Sequence, residues 1–561
     1  MRKEILKNKN KGEKAVLLGN EAIVRGALES GVQFVSTYPG TPASEIGNIF
    51  YEISRLRASK TAKNIYFEFS VNEKIAMEVA AGASFCGLRS LVAMKNFGLN
   101  VASDFLYPLV YSGVKGGLVI LVADDPSCWS SAQTEDNSRG HVLKAHIPTL
   151  EPSTPQECKD FIKLAFEISE KFRIPVMVRE TTRVALQSGI VSLGEFGKGL
   201  PAQAGKRKAK FIKNPRQFVT MPPRVLEMHR ELLDKIEIIR EKLAEKSPLN
   251  FIEGRPAKIG IIASGVGYLY AKEALKELNF KLPILKLGFF YPLPEKKIKN
   301  FIKNLKKVLV IEELEPYLEK ETERLAKKAN PKLEISGKNI LSEVGELKPE
   351  DVVLAVLKLS GGKTGFSFTK HRQALKTVKI PGRNPRFCPG CPYNFVFSII
   401  KRIAPKNTIF GGEIGCYMLA NYQPHQMQDY LYCMGSDISI AHGIKKAIER
   451  STGDTSKQKI IAFVGDSSFF HAGIPALINS VFNKSNPLII ILDNGTTAMT
   501  GQQPNPGLAG IKIEEIVRAC GVKNVKIVDP VKIKEFESVI KDFLGKKEIS
   551  VVIARHPCLF I

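Results

Sequence analysis

At 561 residues the chain has room for three or four domains, and its 44% hydrophobic and 25% charged content is ordinary for a soluble globular protein. No apolar run approaches a membrane span, and the polar, lysine-rich residues 1–14 lack the apolar core of a signal peptide, so a cytoplasmic protein without membrane contact is expected. The net charge of +26 suggests nucleic acid first, but the basic residues are spread along the whole chain and form no recognised nucleic-acid module. A lysine-rich surface is expected instead, with attraction for acidic proteins or polyphosphate ligands as the intermediate case.

In chain order, residues 1–200 read as a doubly wound α/β domain. Val32 to Ser36 is a predicted strand, Tyr38-Pro39-Gly40-Thr41-Pro42 a turn, and Ser44 the cap of the helix after it. A second helix starts near Val71-Asn72-Glu73-Lys74. Its Ala80, Ala81, Gly82, Ala83 and Ser84 are small enough for close packing on a sheet. Leu91–Met94, Gly117–Ala123 and Ile174–Val178 are further strands. Residues 201–256 break the pattern with a basic, proline-punctuated run and a long charged helix from Val225 to Lys246, and read as a connector. Residues 257–358 form a second α/β unit, 359–383 a linker and 384–561 a third unit. Gly265-Val266-Gly267 fails the dinucleotide fingerprint because its third glycine would be Tyr270. GGKTG at 361–365 fails the phosphate-loop pattern because its first glycine would be Leu357. Both are expected to be plain turns.

The stretch from Lys459 to Gly507 carries the strongest signal. Ile460–Val464 is a strand, and Ile474, Leu477, Ile478, Val481 and Phe482 mark one face of a helix with Pro475 in its first turn. Leu488–Leu492 is the next strand. One strand–helix–strand unit makes the strands parallel, and ligands then sit beyond their carboxyl ends. Asp466 and Asn494 each follow such an end, so two hard oxygen ligands converge on what reads as a Mg²⁺ site completed by a phosphorylated cofactor. The alternative is an ordinary pair of GD and DN turns. GDS, twenty-five residues, then DN resembles the thiamine diphosphate motif, with Ser467 where glycine is usual. By that resemblance Asp466, Asn494 and the Thr496 carbonyl hold Mg²⁺ against the diphosphate, with Gly465 and Ser467 lining the approach.

Nine cysteines occur, an odd number that argues against a disulfide framework in a large chain. Cys388-Pro-Gly-Cys391 sets two thiolates on one tight turn, half of a tetrahedral metal site. An iron–sulfur cluster, zinc and a redox-inert turn all stay open, although a zinc ribbon would bring a second CxxC. Cys433 and Cys520 read as core residues.

Taken together, YPGTPASEI, SVNEKIAMEVAAGAS, MKNFGLNVASD, CPGCPY, EIGCY, GDSSFFHAGIPAL, LDNGTTAMTG and ARHPC closely resemble the alpha subunit of indolepyruvate ferredoxin oxidoreductase along nearly the whole chain. The resemblance implies a pyrimidine-binding domain, a transketolase C-terminal-like middle domain and a diphosphate-binding domain. It implies oxidative decarboxylation of aryl pyruvates to acyl-CoA, with thiamine diphosphate, Mg²⁺, one four-iron four-sulfur cluster and coenzyme A. Electrons would pass to ferredoxin, and a smaller beta subunit would complete a hetero-oligomer built on an alpha dimer. Glu73 matches the carboxyl that protonates the coenzyme's aminopyrimidine, with Glu78 as its rival and a solvated first-turn glutamate as the plainer alternative. Thr41 and Lys95 are candidates for the substrate's keto oxygen and carboxylate, Lys95 being alternatively a simple strand-end lysine. Cys416 and Cys558 occupy the places of the remaining cluster ligands. Relatives continue into a ferredoxin-like domain, whereas this sequence ends three residues after Cys558, so a separate ferredoxin or a shorter relative is expected. The rivals are a non-oxidative 2-oxoacid decarboxylase and a non-catalytic basic nucleic-acid-binding or scaffold protein.

Overall fold

The computed structural model describes residue 5, residues 12–56, 65–196, 209–361, 384–452 and 458–561, and isolated positions between 361 and 384. Most of the expected linker 359–383, most of GGKTG, the start of the basic run at 206 and nearly all of residues 1–11 lie outside the described residues. The chain divides into two compact units, residues 1–379 and 380–561.

The first unit opens with β1 (Lys14–Leu18), β2 (Phe34–Thr37), β3 (Tyr66–Phe69), β4 (Ser90–Lys95), β5 (Leu118–Asp124), β6 (Thr149–Leu150), β7 (Val176–Thr181) and β8 (Ser188–Ser192). It continues with β9 (Asn250–Glu253), β10 (Ile259–Ala263), β11 (Ile284–Leu287), β12 (Phe289–Tyr291), β13 (Lys307–Ile311) and β14 (Glu334–Ser336). A seven-stranded sheet runs β12-β6-β7-β5-β4-β2-β3 and is parallel except for β12. The central β5 and β7 are buried along their whole length, which is why LVILVAD is a nearly continuous apolar run rather than an alternating one. A five-stranded sheet, β14-β13-β10-β11-β9, is parallel except for its edge strand β9. Residues 250–253, expected in the connector, thus belong to this sheet. The charged helix runs Arg224–Ile239 and continues through a wide turn, Arg240–Ala244.

In the seven-stranded sheet the chain steps from β2 outward to β3 and then back across β2 to β4. That reversal opens a crevice at the carboxyl ends, where α/β folds place ligands. The helix Glu73–Phe85 begins there because the Asn72 side chain accepts the Ile75 N–H at 2.9 Å, and it stops at Cys86 before the left-handed Gly87. The other predicted cap differs: Ala43 holds the N-cap position, and Ser44 is the first helical residue. Gly265 and Gly267 open a helix directly after β10, and the close approach of Gly267 to the Ile311 carbonyl leaves no room for a larger side chain.

The second unit has β15 (Ile409–Gly412), β16 (Tyr430–Leu431), β17 (Ile460–Gly465), β18 (Leu488–Asp493), β19 (Asn524–Val528) and β20 (Ser550–Arg555). They form one fully parallel sheet in the order β16-β15-β17-β18-β20-β19. Its reversal falls between β15 and β17. All carboxyl ends lie at one edge, so Glu413, Asp466, Asn494 and His556 each follow a strand there. The helix after β17 departs from the predicted amphipathic pattern. It starts at Asp466, widens over Phe469–Gly473, just ahead of Pro475, which has no N–H to donate, and buries Leu477 while Ile478 and Phe482 stay exposed.

Candidate functional site

In the second unit β17 and β18 are adjacent and in register from Ile461 opposite Leu488 to Gly465 opposite Leu492, so the turns that follow them meet. Asp466 is buried, and its carboxylate accepts N–H groups from Ser467 (2.6 Å), Gly495 (2.9 Å) and the Asn505 amide (2.8 Å). Gly495 has φ +77, a left-handed conformation that suits glycine, and its N–H meets the carboxylate. Asn494 and Thr496 are buried beside it. The Asn494 side-chain oxygen accepts the Thr496 N–H at 3.1 Å, and the Ser467 and Thr497 hydroxyls are 2.8 Å apart. Burial, with Asp493 adding to it, pushes the Asp466 pKa up to about 7. None of the groups bonded to that carboxylate is a cation. A buried acid short of positive charge among oxygen-bearing neighbours fits a divalent cation with oxygen ligands.

Two residues that the sequence left without a role brace this cradle. Glu413, buried after β15, accepts the Tyr417 hydroxyl and the N–H groups of Gly435 (3.0 Å) and Gly465 (3.4 Å), tying three loops together. Burial raises its pKa to about 7, and Asp437, buried nearby, is driven up by burial and by the charge of Glu413. Asn505 is the other, its amide donating to the Asp466 carboxylate at 2.8 Å.

The four cysteines singled out form one neighbourhood. The Cys391 N–H closes the CPGC turn on the Cys388 carbonyl at 3.0 Å, around a left-handed Gly390 that sits 3.2 Å, measured from an ideal Cβ, from the Leu559 side chain. The Cys558 N–H bonds the Asn494 carbonyl at 3.1 Å, beside the Asp466 cradle. Burial pushes the Cys416 thiol up to about 12, with Cys391, Cys558 and Cys388 adding to it. All four are free thiols, and Cys433 and Cys520 are likewise unbridged, Cys433 being exposed rather than in the core. Among the described residues no group of three or more His, Cys, Asp or Glu side chains is set to hold a single metal ion.

In the first unit the crevice between β2, β3 and β4 gathers Thr41, Glu73 and Lys95. Glu73 is buried whereas Glu78 is half-buried, which removes the solvated alternative for Glu73. Its side chain lies on Gly98: a Cβ there would fall 2.5 Å from the Glu73 Cγ. Gly40 likewise lies on the Lys95 side chain. The Thr41 hydroxyl is 3.2 Å from that of Ser44. The Lys95 ammonium donates to the Ser131 hydroxyl (2.8 Å) and the Ser130 carbonyl (3.2 Å), and sits 4.7 Å from the centre of the Phe97 ring. Burial lowers its pKa to about 8, opposed by Asp125, Glu73, Cys128 and Asp136. The loop it holds contains two successive left-handed residues, Ser127 (φ 64) and Cys128 (φ 52). Such conformations cost about 1–2 kcal/mol each outside glycine. Asp125 offsets that by accepting the Ser130 N–H and the Ser131 hydroxyl, both at 2.7 Å.

Residues 413–554 match the family described as "Thiamine pyrophosphate enzyme, C-terminal TPP binding domain", and residues 25–185 match "Pyruvate flavodoxin/ferredoxin oxidoreductase, thiamine diP-bdg". The fold is therefore that of a multi-domain α/β thiamine diphosphate-dependent oxidoreductase. Indolepyruvate oxidoreductase subunit IorA of Methanothermobacter marburgensis is 42% identical over 98% of this chain and 87% of its own length. Its namesake in Pyrococcus horikoshii is 43% identical over 98% and 86%. The chain belongs to this indolepyruvate oxidoreductase IorA family and is an enzyme subunit of oxidative 2-oxoacid decarboxylation. A solved 2-oxoglutarate:ferredoxin oxidoreductase from Magnetococcus marinus aligns over 62% of this chain and 65% of its own, at 18% identity and a TM-score of 0.49. Among the described residues no helix is long and apolar enough to cross a membrane.

Proposed function

We propose that this chain is the thiamine diphosphate-binding subunit of an oxidoreductase that converts aryl pyruvates, of the indolepyruvate and phenylpyruvate type, into acyl-CoA and CO₂. Two electrons leave one at a time to ferredoxin. The relatives that span most of this chain carry the name indolepyruvate oxidoreductase, which supports the aryl substrate, and the word subunit in that name supports a smaller beta partner on an alpha dimer.

When bound, thiamine diphosphate supplies a carbon nucleophile and an electron sink for the departing carboxylate. Asp466, the Asn494 amide oxygen and the Thr496 carbonyl would hold Mg²⁺ against its diphosphate, with Gly465 and Ser467 at the approach. Glu73 holds a proton at the coenzyme's aminopyrimidine, a task that suits a buried carboxyl. Lys95 grips the substrate carboxylate, and the Thr41 hydroxyl donates to the keto oxygen. Cys388, Cys391, Cys416 and Cys558 would hold a four-iron cluster that takes single electrons. The reading rests on one observation above the others: the Gly495 N–H bonds the Asp466 carboxylate at 2.9 Å, which draws the two motif turns together.

The test is anaerobic co-expression with a beta partner, followed by viologen reduction with indolepyruvate, phenylpyruvate and pyruvate, with and without coenzyme A. CoA-dependent reduction fastest with the aryl substrates is expected, together with iron and acid-labile sulfide that fall in a Cys391→Ser variant. Decarboxylation without dye reduction, by iron-free protein, would favour the non-oxidative alternative.

A further inference from the structure

One aromatic side chain of the first unit stands in solvent on the loop that the Lys95 ammonium holds. Trp129, the chain's single tryptophan, is 65% exposed, and its indole has no aromatic or cationic partner among the described residues. A lone exposed indole on a free loop needs no explanation. This one sits on a loop fixed on both sides. Before it, the Ser127 N–H bonds Glu135 at 2.5 Å, the Ser127 hydroxyl accepts the Glu346 N–H at 2.9 Å, and the Cys128 thiol donates to the Thr134 carbonyl at 3.3 Å. After it, Asp125 holds the Ser130 N–H and the Ser131 hydroxyl.

The Lys95 ammonium donates to the carbonyl of Ser130, the residue directly after the tryptophan. Trp129 therefore belongs to the same anchored stretch of backbone that meets the ammonium, one peptide unit (about 3.8 Å between Cα atoms) from the residue whose carbonyl accepts it. Lys95 has three N–H donors and spends two on Ser130 and Ser131, leaving one for a ligand carboxylate. A 2-oxoacid held there extends its side chain away from the carboxylate. A methyl group has no face to stack, whereas an aryl ring one methylene further on does, and the indole on the same loop offers a flat apolar one.

We infer that Trp129 is a specificity-determining residue that stacks on the aryl ring of a 2-oxoacid whose carboxylate is held by Lys95. This rests on the substrate reading above and assigns that substrate's ring a contact in this chain. Aromatic pairs favour offset or edge-on contact beyond what buried area alone gives. The loop is already ordered, so little conformational freedom is lost on binding.

The single indole provides the readout. The full chain with thiamine diphosphate and Mg²⁺, without coenzyme A or electron acceptor, is titrated with phenylpyruvate and with pyruvate while tryptophan emission is followed. Saturable quenching by phenylpyruvate and none by pyruvate is expected. In the complex with its beta partner, Trp129→Ala is expected to lower the ratio of kcat/KM for phenylpyruvate over pyruvate about tenfold, and Trp129→Phe to restore most of it. Unchanged emission at phenylpyruvate concentrations that support turnover would overturn the role of Trp129 and leave the proposed function standing, as would an unchanged ratio in Trp129→Ala. If neither phenylpyruvate nor pyruvate is bound or turned over by the parent complex, the functional reading fails and this inference with it.

Discussion

Lys95 is the residue whose chemistry is most exposed to pH. Burial lowers its pKa to about 8 against the pull of Asp125, Glu73, Cys128 and Asp136, so the ammonium is charged below that value and neutral above it. A neutral amine loses most of its hold on a carboxylate. kcat/KM for the 2-oxoacid is expected to be level below about pH 8 and to fall up to tenfold per unit above it. Arginine stays charged throughout this range, so Lys95→Arg should remove the break even if it lowers the plateau. A profile with the same break in Lys95→Arg would assign the titration to another group. Glu73 is buried and Glu78 half-buried, and their variants are expected to differ. Glu73→Ala is expected to leave coenzyme binding measurable and to stop exchange of the thiazolium C2 proton followed by NMR, whereas Glu78→Ala should leave exchange near the parent rate.

At the scale of elements, the helix Asn96–Ser112 is held close to the helix Glu73–Phe85 by a glycine. Gly98 leaves room for the Glu73 side chain, and an added Cβ would fall 2.5 Å from its Cγ and 2.9 Å from its Oε1. Alanine is otherwise the better helix former, by about 1 kcal/mol. Gly98→Ala should therefore leave the melting temperature within a few degrees of the parent while C2 proton exchange slows at least tenfold; equal exchange would mean that Glu73 tolerates displacement. The parallel strands were legible in the sequence because buried strands are short apolar runs, and the Asp466–Asn494 pair was legible because one strand–helix–strand unit fixes where its turns fall. Glu413 and Asn505 were not. Their partners, Gly435, Gly465 and Asp466, are brought near by the sheet rather than by chain spacing. The helix after β17 misled for a related reason: Ile478 and Phe482 keep the helical period yet remain exposed.

At the scale of the whole molecule, the seven- and five-stranded sheets of the first unit are joined through buried ions. Arg139 bonds Glu151 twice (2.8 and 2.7 Å), Glu312 at 2.7 Å and the Ser264 hydroxyl at 2.7 Å, and Arg179 bonds Asp124 and Glu151. Removing one member of such a network strands the others, at about 3–5 kcal/mol. Arg139→Met should lower the stability of this unit by that order in denaturant unfolding, and a loss under 1 kcal/mol would show that the acids find other partners. Every catalytic role proposed above presupposes that the second unit anchors a diphosphate through a metal. Calorimetric titration of the protein with thiamine diphosphate, with and without Mg²⁺, in the parent and in a folded Asp466→Ala variant, measures that directly. Binding that requires Mg²⁺ and vanishes in Asp466→Ala is predicted; equal affinity in both proteins would contradict the account.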